Sequence, residues 1–144
     1  MFKKIAVGYN GSPEAARALS QAIHLAKALE ADLDAITVIE DLPPYTAYAT
    51  AAESSLAMML LEDRKEHCAR LHDHASETAL KQGVELKTHL LEGEPCQSIA
   101  RFLAETKSDL LVIGLHRHTS HISRLWSTVY DLALDAPCSV LGVH

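Results

Sequence analysis

The sequence predicts an α/β protein built on an open, five-stranded parallel sheet with helices on both faces. Five short apolar runs alternate with stretches of helical periodicity, in the order βαβαβαβαβ. The run Leu110-Leu111-Val112-Ile113 is apolar without alternation, as in a strand covered on both sides. Turn and cap residues fall at the junctions, in Asn10-Gly11-Ser12-Pro13, Gly93-Glu94-Pro95, Gly83 and Pro137.

Each element follows from its residues. Lys4 to Tyr9 reads as the first strand. Ser12 can cap a helix and Pro13 suits its first position. Ala15, Leu19, Ile23, Ala26 and Leu29 then recur at helical spacing, so the first helix is expected from about Pro13 to Glu30. Leu33 to Ile39 is the second strand, with β-branched Ile36, Val38 and Ile39. Pro43-Pro44 marks 41–50 as loop, and a long helix is expected from about Ala52 to Gln82. Its stripe is Leu56, Leu60, Cys68, Leu71, Ala75 and Ala79, with Gly83 as the stop. Val84 to Leu91 is the third strand. Gly93-Glu94-Pro95 opens a third helix carrying Ile99, Phe102 and Leu103. Leu110 to Leu115 is the fourth strand. A fourth helix is expected from about Ser127 to Asp135, with Val129, Leu132 and Ala133 inward, and Ser139 to Val143 is the fifth strand.

Length and composition narrow the function classes. A chain of 144 residues with 48% hydrophobic and 22% charged residues suits one globular domain, 1–144. The formal net charge of -6 argues against a nucleic-acid binder, which needs basic surface. No apolar run is long enough for a transmembrane helix, so no membrane insertion is expected. The opening Met1-Phe2-Lys3-Lys4-Ile5 enters a strand at once and lacks a signal peptide's features. Cys68, Cys96 and Cys138 are far apart with no CxxC pair, which suits idle thiols in a reducing cytoplasm.

Open parallel sheets bind ligands beyond the C-terminal strand ends, where the strand order reverses. Two loops that follow strand-like runs carry turn or glycine residues: Asn10 to Ser12, and Gly114 onward. The second reads Gly114-Leu115-His116-Arg117, followed after nine intervening residues by Ser127-Thr128. That spacing, the opening Lys4 to Pro13 and the closing Ala136-Pro137-Cys138-Ser139-Val140-Leu141-Gly142-Val143 resemble the universal stress protein family over essentially the whole chain. The resemblance implies a Rossmann-like fold with its switch point between strands one and four. It also implies a cytoplasmic stress-response regulator and a homodimer paired through the last strands, here Val140, Leu141 and Val143.

In nucleotide-binding relatives the fourth loop carries three glycines. Here Gly114 is retained, Arg117 and Ser127 replace the others, and Thr128 keeps a hydroxyl. Arg117 either fills the phosphate space or offers a guanidinium in place of backbone donors. Ser127 either caps the fourth helix or donates to a phosphate. Val38 matches the position near the base, and Asn10 stands where an acidic residue is usual; it can bond a ligand or make an Asx turn. The leading expectation is a regulator acting through contacts with a protein partner of unknown identity, with weak or absent nucleotide binding. The alternative is an adenine-nucleotide switch, with ATP as the candidate cofactor and Asn10, Val38, Gly114, Arg117, Ser127 and Thr128 as its site.

Other chemistry has little support. His116, His118 and His121, with His144, could gather a metal, but their spacing matches no helical ligand pair and no metal is expected. His67 and His74 read as solvated helix residues. No G-x-S-x-G elbow and no P-loop occur, so no catalytic residue is assigned and the protein is not expected to be an enzyme. Met58-Met59-Leu60-Leu61 is expected in core or interface packing, and Trp126 is expected to pack just before the fourth helix.

Overall fold

The computed structural model describes residues 1–40, 54–115 and 122–144, with the side chains of residues 54 and 122–128 outside the description. Its strands are β1 (Lys4–Gly8), β2 (Asp32–Ile39), β3 (Leu86–Glu92), β4 (Leu110–Gly114) and β5 (Ser139–Val143). Its helices are α1 (Pro13–Leu29), α2 (Ser54–Lys81), α3 (Pro95–Thr106) and α4 (Ile122–Asp135). The strand order is β3-β2-β1-β4-β5, and every pairing is parallel. Order therefore reverses between β1 and β4, as the resemblance implied.

Strand alternation sorts the core into two layers. Ile5 and Val7 of β1, Leu33 and Ala35 of β2, and Leu110 and Val112 of β4 face α1 and the C-terminal half of α2. Ala6, Ile36, Leu111 and Ile113 face α3 and α4, where they meet Ile99, Phe102, Leu103 and Leu132. Helix α1 lies flat on the sheet because Ala15, Ala18, Ala22 and Ala26 bury small side chains along one stripe. Asp109 ties the lower ends of β4 and β1 together: its carboxylate accepts from the Lys3 and Lys4 N–H groups at 2.8 and 3.0 Å.

Helix ends follow the local chemistry. Ser12 Oγ accepts from the Ala15 N–H at 3.2 Å and Pro13 opens α1. Glu94 caps α3 by accepting from the N–H groups of Cys96 and Gln97, which holds its carboxyl below the usual carboxylate range. Helices α1 and α3 both end on left-handed residues that are not glycine, Glu30 and Lys107. Each costs about 1 kcal/mol against glycine.

Several expectations need correction. Helix α4 begins at Ile122, so Ser127, Thr128 and Trp126 lie within it and Ser127 does not cap it. The apolar spacing Ile122, Leu125, Trp126, Val129 continues the helical stripe backwards past the hydroxyl pair. Strand β3 starts at Leu86 rather than Val84; the Val84 N–H instead closes the end of α2 on the Ala79 carbonyl. In α2 the stripe holds only from Cys68 onward, where Cys68, Ala75 and Ala79 are buried. Leu56, Met58, Met59 and Leu61 are exposed, so they are not core residues. His67 and His74 are exposed, as expected. Cys68 is buried, Cys96 and Cys138 are half-buried, and none of the three is in a disulfide.

A candidate ligand cavity at the strand order reversal

The β1 tip is shaped by its own residues. Asn10 Oδ1 accepts from the Ser12 N–H at 3.0 Å, forming the Asx turn that its residue type allows. Gly11 sits at φ +81, a left-handed conformation that favours glycine, and a β-carbon there would meet Leu71 Cδ2 of α2 at 2.6 Å. Tyr9 is buried, which pushes its phenol pKa up, and its N–H donates to the Ile36 carbonyl at 2.9 Å. The β4 tip is equally tight. Leu115 N–H donates to the Val143 carbonyl at 2.7 Å, carrying the β4 to β5 pairing past Gly114.

Between these tips lies a cavity of about 430 Å³. Its apolar wall is Val38, Ile99, Ile113 and Leu132, from both strands and helices of the α3 and α4 side. Asn10, Ser12 and the start of α1 form the opposite rim, where the positive end of the helix dipole favours negative charge. The lining also includes the carboxylates Glu14 and Glu40 and, among the described residues, no Lys or Arg. A volume of this size suits a small organic ligand.

Three of the sequence-predicted residues, Asn10, Val38 and Gly114, line this one cavity. Arg117 falls outside the described residues, as do His116, His118 and His121. Ser127 and Thr128 are placed by backbone alone, within α4. Among the described residues no group of His, Cys, Asp and Glu is arranged to hold a metal ion. No helix among them is long and apolar enough to cross a membrane. At the proposed dimer edge, Leu141 is exposed and Val140 and Val143 are half-buried on β5, whose other side is unpaired among the described residues.

Sequence reasoning missed Thr37, which lines the cavity next to Val38. Its hydroxyl donates to the Tyr9 carbonyl at 2.6 Å and contacts His72 Nε2 of α2 at 2.8 Å. The available signal was a hydroxyl inside the apolar run Ile36 to Ile39, since a buried polar group needs partners. It also missed a polar pair on the other face, where His89 Nε2 contacts Asp34 Oδ1 at 2.8 Å and the His89 ring packs on Phe102. Burial lowers the His72 pKa; His89 lowers it further and Asp73 partly offsets this.

The sheet order and the cavity define a doubly wound α/β protein with a cavity at the switch point, where such sheets take their ligands. The chain belongs to the universal stress protein family, whose model matches residues 1–144. It is 30% identical to universal stress protein MJ0531 of Methanocaldococcus jannaschii over 99% of this chain and 82% of that protein. It is 31% identical to universal stress protein YxiE of Bacillus subtilis over the full length of both. The fold matches universal stress protein UspA from Lactobacillus plantarum with a TM-score of 0.82 at 23% identity, covering 99% of this chain and 98% of that one. It also matches a universal stress protein in complex with cAMP with a TM-score of 0.77 at 24% identity, covering 99% and 97%.

Proposed function

We propose that this chain is a single-domain, cytoplasmic regulator of the stress response that acts by protein contact as a homodimer. Its cavity takes an adenine nucleotide weakly and without bond chemistry. The observation that carries the nucleotide reading is the cavity of about 430 Å³ between the β1 and β4 tips, with Asn10, Val38 and Gly114 on its walls. The universal stress protein in complex with cAMP, alike in fold, supports the same ligand class.

Affinity on this reading comes from base and sugar. Val38, Ile99 and Ile113 offer apolar surface to a purine, and Asn10 offers polar atoms at the rim. The phosphate end is poorly served: Glu14 and Glu40 line the cavity, and two carboxylates disfavour a polyanion. Arg117, Ser127 and Thr128 remain the candidate phosphate partners on the fourth loop and α4. Calorimetric titration with adenosine, AMP and ATP tests the reading. Weak AMP binding with ATP no tighter is expected. ATP binding more than about tenfold tighter than AMP, lost on Thr128→Ala, would instead assign a working phosphate site.

The contact reading rests on the free side of β5. Val140, Leu141 and Val143 lie along it, and the exposed Tyr130 and Leu134 of α4 add apolar surface. An unpaired apolar edge of this kind is a template for strand pairing.

A further inference from the structure

We infer that His72 and Thr37 are positioning residues of the cavity, which turn the peptide between Tyr9 and Asn10 so that its N–H is offered to a bound ligand. This rests on the cavity being the nucleotide site.

Hydrogen-bond arithmetic sets the direction of the relay. A threonine hydroxyl has one proton. Thr37 gives it to the Tyr9 carbonyl at 2.6 Å, so its oxygen can only accept from His72 Nε2 at 2.8 Å. His72 therefore carries its proton on Nε2, a tautomer assigned from the network. The chain of donors runs from α2 through β2 to the end of β1.

Peptide geometry does the rest. No cis peptide occurs among the described residues, and in a trans peptide the carbonyl and the following N–H point opposite ways. Holding the Tyr9 carbonyl on Thr37 turns the Asn10 N–H away from Thr37. Asn10 lines the cavity, and no described residue accepts from that N–H. The Asn10 side-chain oxygen already accepts from the Ser12 N–H, and the backbone N–H of Asn10 is the donor left to meet a ligand. A purine ring nitrogen or a ligand oxygen is the matching partner.

A second contact supports the same role for α2. Leu71, the residue before His72, packs against Gly11 so closely that a β-carbon there would sit 2.6 Å away. Two adjacent residues of α2 thus hold successive parts of the β1 tip. Without Thr37's hydroxyl, the peptide between Tyr9 and Asn10 is free to rotate and present its carbonyl, which repels an acceptor.

The test compares Thr37→Val and His72→Leu, which remove the relay, with Thr37→Ser and His72→Gln, which keep a hydroxyl and an N–H donor. Amide NMR spectra of the ligand-free protein are read first. The inference expects large shifts of the Asn10 and Gly11 amides in Thr37→Val and His72→Leu, and near wild-type positions in Thr37→Ser and His72→Gln. AMP titration should then show about tenfold weaker binding in the first pair and full rescue in the second. Unmoved Asn10 and Gly11 amides in both disrupting variants overturn the relay. If Thr37→Val does not fold, the His72→Leu and His72→Gln pair decides alone. Wild-type protein that ignores AMP sinks the nucleotide reading separately, while the ligand-free spectra still decide the relay.

Discussion

Gly114 at the tip of β4 lies against the first turn of α1 so closely that a β-carbon on it would sit 2.5 Å from both the carbonyl carbon and oxygen of Glu14. That distance is inside any tolerated contact, and the obstacle is backbone. The retained glycine of the fourth loop is thus explained by helix-on-strand packing before any ligand is invoked.

Gly114→Ala should therefore destabilise the free protein by about 1–3 kcal/mol, the usual cost of overpacking a tight site. Urea melts without nucleotide measure this. An unchanged midpoint would mean that α1 can shift outward at no cost, and the glycine would need another reason.

Acid should weaken the fold through His72. Burial lowers its pKa in the folded state, so the unfolded chain takes up the proton first. Stability is then fully present above the ordinary histidine value of 6.5 and is lost as pH falls through that value toward the lower folded one. Glu94, whose pKa is also lowered, loses its contribution in a more acid window, at and below the ordinary value of 4.5. Thermal melts from pH 7.5 to 5 should fall for wild type and flatten for His72→Gln. Equal slopes in both proteins would assign the acid sensitivity elsewhere.

Asp34 and His89 form an ion-pair geometry with one exposed end. The Asp34 side chain is 4% exposed, that of His89 is 34% exposed, and Asp34 Oδ2 is buried with no partner among the described residues. Removing His89 leaves a buried carboxylate uncompensated. His89→Leu should cost on the order of 2–3 kcal/mol, below the range for a fully buried pair because His89 reaches solvent. The double change with Asp34→Leu should recover much of that loss in chemical denaturation; a double variant no more stable than the single one would contradict the pairing.

Charge on β5 should dissociate the proposed dimer. Leu141 is 38% exposed on the free chain, so Leu141→Lys burdens the fold little. Sedimentation should give twice the chain mass for wild type and the chain mass for the variant, with unchanged circular dichroism. Wild type sedimenting as a monomer at micromolar concentration would remove the edge-pairing proposal.

The order of elements was legible in the sequence because two local periods, two for strands and about 3.6 for helices, are written into neighbouring residues. Ser12, Pro13 and Gly11 likewise announced the first helix start, and Asn10 its Asx turn, since caps and turns depend on a few adjacent side chains. The start of α4 was less legible, because the hydroxyls of Ser127 and Thr128 looked like a cap although the apolar stripe runs back to Ile122.

What only the tertiary structure decided concerns residues far apart in the chain. Thr37 and His72 are 35 residues apart and drew no notice in the sequence, yet the fold brings them to 2.8 Å, and Asp34 meets His89 in the same way. Gly114 was expected beside a nucleotide, and only the packed fold shows that Glu14 backbone also lies against it. The physical reason is range. Propensity, capping and periodicity act between near neighbours, whereas buried polar groups and close backbone approaches are settled by whichever distant atoms the packed sheet delivers to them.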